Sequence, residues 1–160
     1  MLNKVYMTYI LPSIDHGVSI WGHCNDKDNA LIKRIQHRAA RIVTGNFDYV
    51  NVRGSDLLAQ LGWQSIDQRR DYFTACLMYK TLNNSVPVHI SNEVSLATEI
   101  HDVQTRSAHH GNIYIPKPNI ESFKKSLSFH GPIIWNALPA EMKTAEDFQK
   151  FKYLYKKALF

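Results

Sequence analysis

The chain has 160 residues, of which 44% are hydrophobic and 21% charged, a mixture too apolar for a disordered chain and too polar for a membrane protein. A chain of this length buries roughly 70% of the surface that its unfolded form exposes, so it can fold without disulfides or metals. Its two cysteines are too few for a disulfide framework or a zinc site built mainly of thiolates. Together these numbers predict a soluble, intracellular globular domain.

The formal net charge of +5 is unevenly distributed. Residues 1–45 carry six basic and three acidic side chains, residues 46–104 carry four and seven, and residues 105–160 carry nine and four. The two ends are therefore basic and the middle is acidic. Such a charge permits a polyanionic partner without requiring one.

The first predicted helix covers Leu2 to Leu11, and Pro12 fits the first turn of a second short helix that ends near Trp21. The apolar stretch is interrupted at Thr8 and is too short for a signal peptide or a membrane span. A helical pattern that starts at the second residue without a cap indicates a chain cut from something longer.

A longer helix is predicted to open at Asn25 or Asp26, either of which can cap it, and to end at Gly45. Its pattern predicts a buried apolar stripe and a basic stripe about 100° away. The apolar stripe consists of Leu31, Ile35, Ala39 and Ile42. The basic stripe consists of Lys27, Arg34, Arg38 and Arg41, with His37 alongside.

Two further helices are predicted before the middle of the chain. Residues 46–54 read as a loop, and a short helix runs from about Ser55 to a break at Gly62. Ser65 and Gln68 have capping-box spacing, which predicts the start of an amphipathic helix that runs to about Asn83.

Helical periodicity is absent from residues 92–118, apart from an alternation over 112–115 that predicts one short strand or an extended arm. It returns from about Ile120 to Leu138, with a possible break at Gly131-Pro132. A last helix is predicted over 144–160. One side of that helix carries Phe148, Phe151, Tyr155 and Leu159.

The predicted fold is mostly α: a small helical domain with a long irregular arm and at most one short strand or hairpin. Residues 1–91 are expected to form an N-terminal helical region, and residues 92–118 the irregular arm. Residues 119–160 then form a C-terminal helical region, packed as one domain with the first.

No motif for catalysis or cofactor binding is found in the sequence. The glycines form neither a dinucleotide nor a Walker-type loop, and there is no nucleophile elbow. The pairs His23-Cys24 and His109-His110 do not converge on one ion if extended, because neighbouring side chains then point to opposite faces. Asp26 and Asp28 are interpreted as helix N-terminal charges rather than as metal ligands. No catalytic residue, metal or cofactor is predicted, and enzymatic activity is not expected.

The basic stripe has two interpretations, which both stay open. It is either a solvated helix face or a ridge that binds phosphates with Arg34, Arg38 and Arg41 over about 11 Å of helix axis. Lys33 joins the predicted nucleic-acid-binding residues as a secondary contact. Four lysines of the last helix are further secondary candidates: Lys150, Lys152, Lys156 and Lys157. The three tryptophans are interpreted as packing anchors.

Seven short motifs, in this order, give the chain a family resemblance. They are Y-M-T-Y-I-L-P-S-I-D-H-G from Tyr6, Q-H-R-A-A-R from Gln36, L-G-W from Leu61 with Arg69-Arg70, L-M-Y-K-T-L-N from Leu77, T-R-S from Thr105, P-K-P from Pro116, and W-N-A-L-P from Trp135 with Phe151-Lys152. This series resembles the region that follows the polymerase thumb in LINE-type, jockey-like non-LTR retrotransposon reverse transcriptases, which are RNA-directed DNA polymerases.

The resemblance implies a non-catalytic C-terminal fragment of a nuclear polyprotein. The palm motif with paired aspartates lies upstream in that family and is absent here. Its implied partners are the backbone of element RNA or target DNA and the upstream polymerase thumb, without a membrane. His16, His89 and His130 stand where the family usually has aromatic residues. The alternative is a helical protein-interaction module with no nucleic-acid role, which docks through its N-terminal hairpin, Val5 to Trp21.

Overall fold

The computed structural model describes residues 1–23, 25–100 and 111–159, and these residues are mostly helical, as the sequence predicts. The described part of the arm contains an isolated antiparallel bridge between Leu96 and Ile113 in place of a strand. Cys24, the pair His109-His110 and the whole T-R-S motif from Thr105 lie outside the described residues. Within the described ranges, no helix is both long and apolar enough to cross a membrane.

The chain separates into two units, Met1–Asp71 and Tyr72–Phe160. The helices of the first unit are α1 (Leu2–Val5), a π-helical turn (Tyr6–Ile10), α2 (Leu11–Asp15), α3 (Val18–Trp21), α4 (Asp26–Thr44), α5 (Gly54–Leu61) and the start of α6 (Ile66–Leu82). The second unit continues with α7 (Val88–Ser91), α8 (Ala97–Ile100), α9 (Glu121–Lys124), α10 (Leu127–Asn136), α11 (Ala140–Lys143) and α12 (Phe148–Leu159). The division between them lies inside α6, whereas the predicted divisions at residues 91 and 118 stay predictions.

Pro12 lies in the first turn of a second helix, α2, as the sequence predicts, but this helix ends at Asp15 and does not run on to Trp21. Proline inside a helix clashes with the carbonyl four residues earlier, which here belongs to Thr8. Thr8 lies in the π-helical turn, whose wider ring gives the proline room and lets the helical run continue to Asp15. Gly17 then takes a left-handed conformation, with φ of 67°, that ends the run.

The predicted ends of α4 and α6 are confirmed. Asn25 Oδ1 accepts a hydrogen bond from the backbone N–H of Asp28 at 2.9 Å, and Gly45 ends α4 in the left-handed conformation. At the start of α6, Ser65 Oγ accepts from the Gln68 N–H while Gln68 Oε1 accepts from the Ser65 N–H, at 3.2 and 2.9 Å. This is the capping box that the spacing predicts.

The face of α4 that packs against the first unit is not the predicted one. Ala40 is fully buried, beside Leu57 and Leu58 of α5, and Gln36 is 1% exposed. Leu31, Ile35 and Ile42 of the predicted buried stripe are about half exposed instead. The small side chain of Ala40 lets α5 approach closely, and the amide of Gln36 has hydrogen-bond partners, so this mixed face can be buried despite its polarity.

Aromatic side chains form the core of the second unit. Tyr79 of α6 stacks on Phe151 of α12 with ring centroids 4.7 Å apart, and Trp135 and Tyr155 complete the cluster. The sequence therefore correctly places Phe151 and Tyr155 on the buried side of the last helix.

The helical stretch after Ile120 breaks near Lys125, between α9 and α10, and continues through Gly131-Pro132. The suggested break at Gly131-Pro132 is thus wrong. A Cβ atom at Gly131 would lie 2.6 Å from Met78 Sδ, so the missing side chain lets α10 pack directly on α6.

Candidate nucleic-acid interface

One side of α4 carries a row of exposed basic and apolar side chains, which we call the outward face. At about 100° per residue its members fall within a sector about 100° wide. They are Lys27, Leu31, Arg34, Ile35, Arg38 and Ile42, all of them exposed. The sector lies opposite Gln36 and Ala40, which face the core.

Arg34 and Arg38 are the predicted site residues that the structure leaves available. They lie one turn apart, so their backbones are separated by about 6 Å along the helix axis. Neither takes part in a hydrogen bond, an ion pair or a cation–π contact with any described residue. Two exposed guanidinium groups on adjacent turns can each contact an anion.

Lys33 lies on another side of α4, and its charge is already partnered. Its Nζ atom lies 2.6 Å from Asp67 Oδ2 at the start of α6, with both side chains somewhat more than a third exposed. An exposed pair of this kind exchanges readily with solvent and contributes little to stability. Lys33 can therefore supplement an anion contact only at the expense of this ion pair.

Arg41 is 6% exposed and belongs to the packing of the first unit. Its guanidinium donates to the backbone carbonyls of Asp48 at 2.8 Å, Val52 at 2.7 Å and, more weakly, Asn46 at 3.5 Å. The same group lies 4.2 Å from the centroid of the Tyr49 ring. Arg41 is therefore not exposed to solvent as Arg34 and Arg38 are, although the three share the predicted stripe.

The loop that Arg41 holds, residues 46–52, is the feature that the sequence analysis missed; we call it the Tyr49 loop. Asp48 Oδ1 accepts from the N–H groups of Val50 and Asn51, both at 2.9 Å, and these bonds lower the pKa of the Asp48 carboxyl. Phe47, Tyr49 and Val50 all project into solvent. The available signal was the presence of two aromatic residues in an Asn/Asp-rich loop directly after a basic helix.

His37 lies between the outward face and the core. A Cβ atom at Gly54 would lie 2.3 Å from the imidazole Cγ, so the ring packs against the start of α5 where only glycine leaves room. Burial, followed by the charges of Arg41 and Lys33, lowers the pKa of His37. The neutral imidazole is therefore the form that the folded chain favours at neutral pH.

The C-terminal lysines do not form a row comparable to the outward face. Lys150 pairs with Glu146 at 3.4 Å, and the ammonium groups of Lys152 and Lys156 lie 4.8 and 5.9 Å from the ring centroids of Phe148 and Tyr72. These contacts leave their charges near the surface of the second unit. Their role as secondary phosphate contacts stays a prediction.

Several side chains of the short motifs in the first unit hold the fold together. Tyr6 and Trp63 stack with ring centroids 4.1 Å apart, and Asp15 pairs with both Nε and Nη2 of Arg69. Gln36 Nε2 donates to the Gln64 carbonyl at 2.8 Å. These side chains are therefore engaged in packing, and among the residues of the Q-H-R-A-A-R motif Arg38 is the exposed cation.

The same holds for the W-N-A-L-P motif in the second unit. Trp135 Nε1 donates to the Gly111 carbonyl at 2.9 Å. The Asn136 amide both accepts from the Ile113 N–H and donates to the Ile113 carbonyl, each at 2.8 Å. Lys143 Nζ donates to Asn112 Oδ1 at 2.8 Å, and burial lowers its pKa. The motif fastens the described end of the arm to α10 and α11.

Among the described residues, no group of three or more His, Cys, Asp or Glu side chains is arranged to hold a metal ion. Comparison with protein-family models, curated proteins and solved structures finds no match.

Proposed function

We propose that this chain is a non-catalytic C-terminal region of a LINE-type retrotransposon reverse transcriptase that contacts the backbone of RNA or DNA. The observation that carries the proposal is the exposure of Arg34 and Arg38, without partners among the described residues, on adjacent turns of α4. The order of the seven motifs supports the family, which works in the nucleus.

The chemistry of the two side chains favours phosphate as their ligand. A guanidinium offers a planar pair of N–H donors that matches two phosphate oxygens, and it remains charged at every physiological pH. Lys27, two turns before Arg34, extends the positive row toward the start of α4. The contact requires no metal or cofactor and selects no base sequence, because phosphate contacts position a protein rather than specify a sequence.

A salt titration tests the proposal. In the double variant Arg34→Gln/Arg38→Gln, the magnitude of the slope of log affinity against log salt should decrease by about 1.4 on single strands and about 1.8 on duplex. This is the decrease expected for the loss of two phosphate contacts. The double variant Lys4→Gln/Lys117→Gln is the control, since it removes the same charge from two exposed lysines elsewhere. Equal slopes for the two variants would overturn the proposal.

The family itself is tested by the genomic sequence upstream of the Met1 codon. A reading frame, intact or recently broken, that encodes a polymerase palm with paired aspartates supports the assignment. Unrelated upstream sequence would contradict it, whatever the outcome of the binding experiment.

A second function, a protein-interaction module, is favoured by the apolar side chains that the fold leaves in water. Leu31, Ile35 and Ile42 are 53%, 53% and 48% exposed along α4. Val5 and Tyr9 of the N-terminal run are also exposed, at 43% and 73%. Contiguous exposed apolar surface marks interaction sites in soluble proteins. The partner proposed for this surface is the polymerase thumb of the same polyprotein.

Polar substitution separates this function from nucleic-acid binding. The triple variant Leu31→Gln/Ile35→Gln/Ile42→Gln should weaken binding of a hydrophobic dye and any self-association seen by sedimentation, while it leaves the salt slope unchanged. A wild-type chain that is strictly monomeric, binds no dye and unfolds cooperatively would contradict the docking function.

A further inference from the structure

We infer that the Tyr49 loop is a platform on which a base of single-stranded nucleic acid stacks, so that the α4 site prefers single strands to duplex. This inference rests on the proposed nucleic-acid function and names its substrate class. It depends on the exposed aromatic rings, on the contacts that hold the loop, and on the loop's position along α4.

The loop is held in one conformation by contacts from both sides. Arg41 donates to two of its carbonyls at 2.8 Å or less, and Asp48 closes its tip through the N–H groups of Val50 and Asn51. Asn46 Oδ1 also accepts from the Asp48 N–H at 3.0 Å. A ligand that docks on a loop ordered in advance loses less conformational entropy than one that must order it.

Two aromatic rings on this loop are open to solvent. Tyr49 is 69% exposed although the Arg41 guanidinium lies 4.2 Å from its ring centroid, and Phe47 is 59% exposed. The cation supports Tyr49 from one side, so the remaining ring surface is accessible to a planar ligand. Single-strand-binding proteins stack bases on exposed aromatic rings and add cation–π contacts from arginine.

The loop lies close to the proposed phosphate contacts. Arg41 follows Arg38 by three residues, and side chains three apart are neighbours on a helix surface. The ring that Arg41 supports is therefore near the turn that carries Arg38. A single strand can place its phosphates on Arg34 and Arg38 and turn one base toward Tyr49.

A duplex cannot use both features in this way. Its bases are paired and stacked inside the helix, so an aromatic ring reaches them only if a base is unstacked at a cost in free energy. The Asp48 carboxylate is an anion that accepts from Val50, Asn51 and the Asn51 side chain, so it offers no attraction to the phosphates of a duplex or of a single strand. Duplex binding should depend on the arginines alone.

The experiment compares the affinities of a 20-nucleotide oligo(dT) and of a duplex of equal length for a set of variants. Tyr49→Ala should weaken binding of the single strand by about tenfold or more, as expected for one stacked base, and leave duplex binding unchanged. Tyr49→Phe should retain the wild-type affinity because it keeps the ring. Tyr153→Ala, which removes an exposed ring in the second unit, is the matched control and should change neither affinity.

The possible results distinguish the phosphate contact of Arg34 and Arg38 from the stacking of a base on Tyr49. If Arg34→Gln/Arg38→Gln flattens the salt dependence but Tyr49→Ala behaves like Tyr153→Ala, the stacking platform is overturned and the phosphate contact stands. Equal loss on single strand and duplex in Tyr49→Ala also overturns the platform. If Arg34→Gln/Arg38→Gln keeps the wild-type slope of log affinity against log salt, the phosphate contact is overturned, and the stacking platform, which rests on it, is overturned as well. Thermal melting of Tyr49→Ala establishes that the variant is folded when it is measured.

Discussion

Gln36 and Arg41 show how α4 uses polar side chains for packing. The Gln36 amide donates to the Gln64 carbonyl and accepts from the Ile66 N–H, and Arg41 supplies the donors for the loop that follows the helix. Each side chain is buried, and each makes hydrogen bonds to backbone groups distant in sequence or in the following loop. Buried polar groups of this kind are tolerated because they have hydrogen-bond partners.

Arg41→Gln should destabilise the fold far more than Arg38→Gln. The shorter, neutral side chain cannot reach both the Asp48 and Val52 carbonyls, and loss of charged hydrogen bonds should lower the free energy of unfolding by about 2–3 kcal/mol. Arg38 is exposed, so its substitution should change stability by less than about 0.5 kcal/mol.

Urea denaturation of the two variants measures this difference directly. Equal midpoints for both would mean that Arg41 does not hold the Tyr49 loop. A change at Arg41 would perturb the fold and the ligand contact together, whereas changes at the exposed Arg34 and Arg38 affect the ligand contact alone.

His37 should make stability depend on pH. Because burial and the charges of Arg41 and Lys33 lower its pKa in the folded chain, the unfolded chain takes up a proton first as the pH falls. The stabilising contribution of neutral His37 is therefore complete above its unfolded pKa of about 6.5, and it is lost as the pH falls through the lower folded value.

Urea midpoints at pH 7.5 and 5.5 test this sign. The decrease in stability between the two should be smaller in His37→Gln than in the wild type, because the variant has no proton to take up at that position. His89→Gln replaces an exposed histidine and should keep the wild-type dependence. A wild-type decrease that His37→Gln leaves unchanged would exclude His37 as its source.

At the candidate site, the sequence predicts which basic residues share one side of α4, but it does not predict which of them other parts of the chain cover. Arg34 and Arg38 are exposed as the basic stripe requires, but Arg41 has the same periodicity and is buried. The difference arises from the loop that folds back over Arg41, and helical periodicity contains no information about a loop's path. Tyr49 was missed for the same reason, because its support depends on that guanidinium.

At the scale of elements, the sequence predicts correctly those features that depend on residues close together in the chain, such as helix caps. Asn25 and the pair Ser65 and Gln68 begin their helices through hydrogen bonds between residues three positions apart, so the sequence alone contains the whole interaction. The buried face of α4 depends on which neighbour packs against it. Ala40 permits the approach of α5, and the more apolar stripe was therefore assigned to the wrong side.

The extended arm is held by backbone bonds of its own, from the Ala97 N–H to the Asn112 carbonyl and from the Tyr114 N–H to the Ser95 carbonyl, and by Asn136 from outside. Asn136 supplies both hydrogen bonds of the Ile113 backbone. In Asn136→Ala, exchange of the Ile113 amide hydrogen should become faster, and the free energy of unfolding should fall by about 1–3 kcal/mol. Asn92→Ala changes an exposed asparagine and should alter neither quantity. Unchanged exchange at Ile113 would mean that the Leu96–Ile113 bridge holds the arm without Asn136.

At the scale of the whole molecule, α6 belongs to both units. Its first turn carries the buried Ile66 and the Arg69 partner of Asp15, and its later turns carry Met78 and Tyr79 of the aromatic core. A helix forms cooperatively, so loss of either part weakens the other. The two units should therefore unfold in one transition despite their separate cores.

Met78→Ala tests this coupling from within the second unit. Met78 is fully buried and packs beneath Gly131, so its truncation should lower the free energy of unfolding by about 2–5 kcal/mol. Fluorine-labelled tryptophan reports each unit separately in urea, through Trp63 in the first and Trp135 in the second. Both signals should move to the same lower midpoint, because melting of α6 removes the partners of the first unit as well. Ile133→Ala, at a partly exposed position of α10, should shift both signals only slightly. A Trp135 transition that moves while Trp63 keeps its wild-type midpoint would show that α6 does not couple the units.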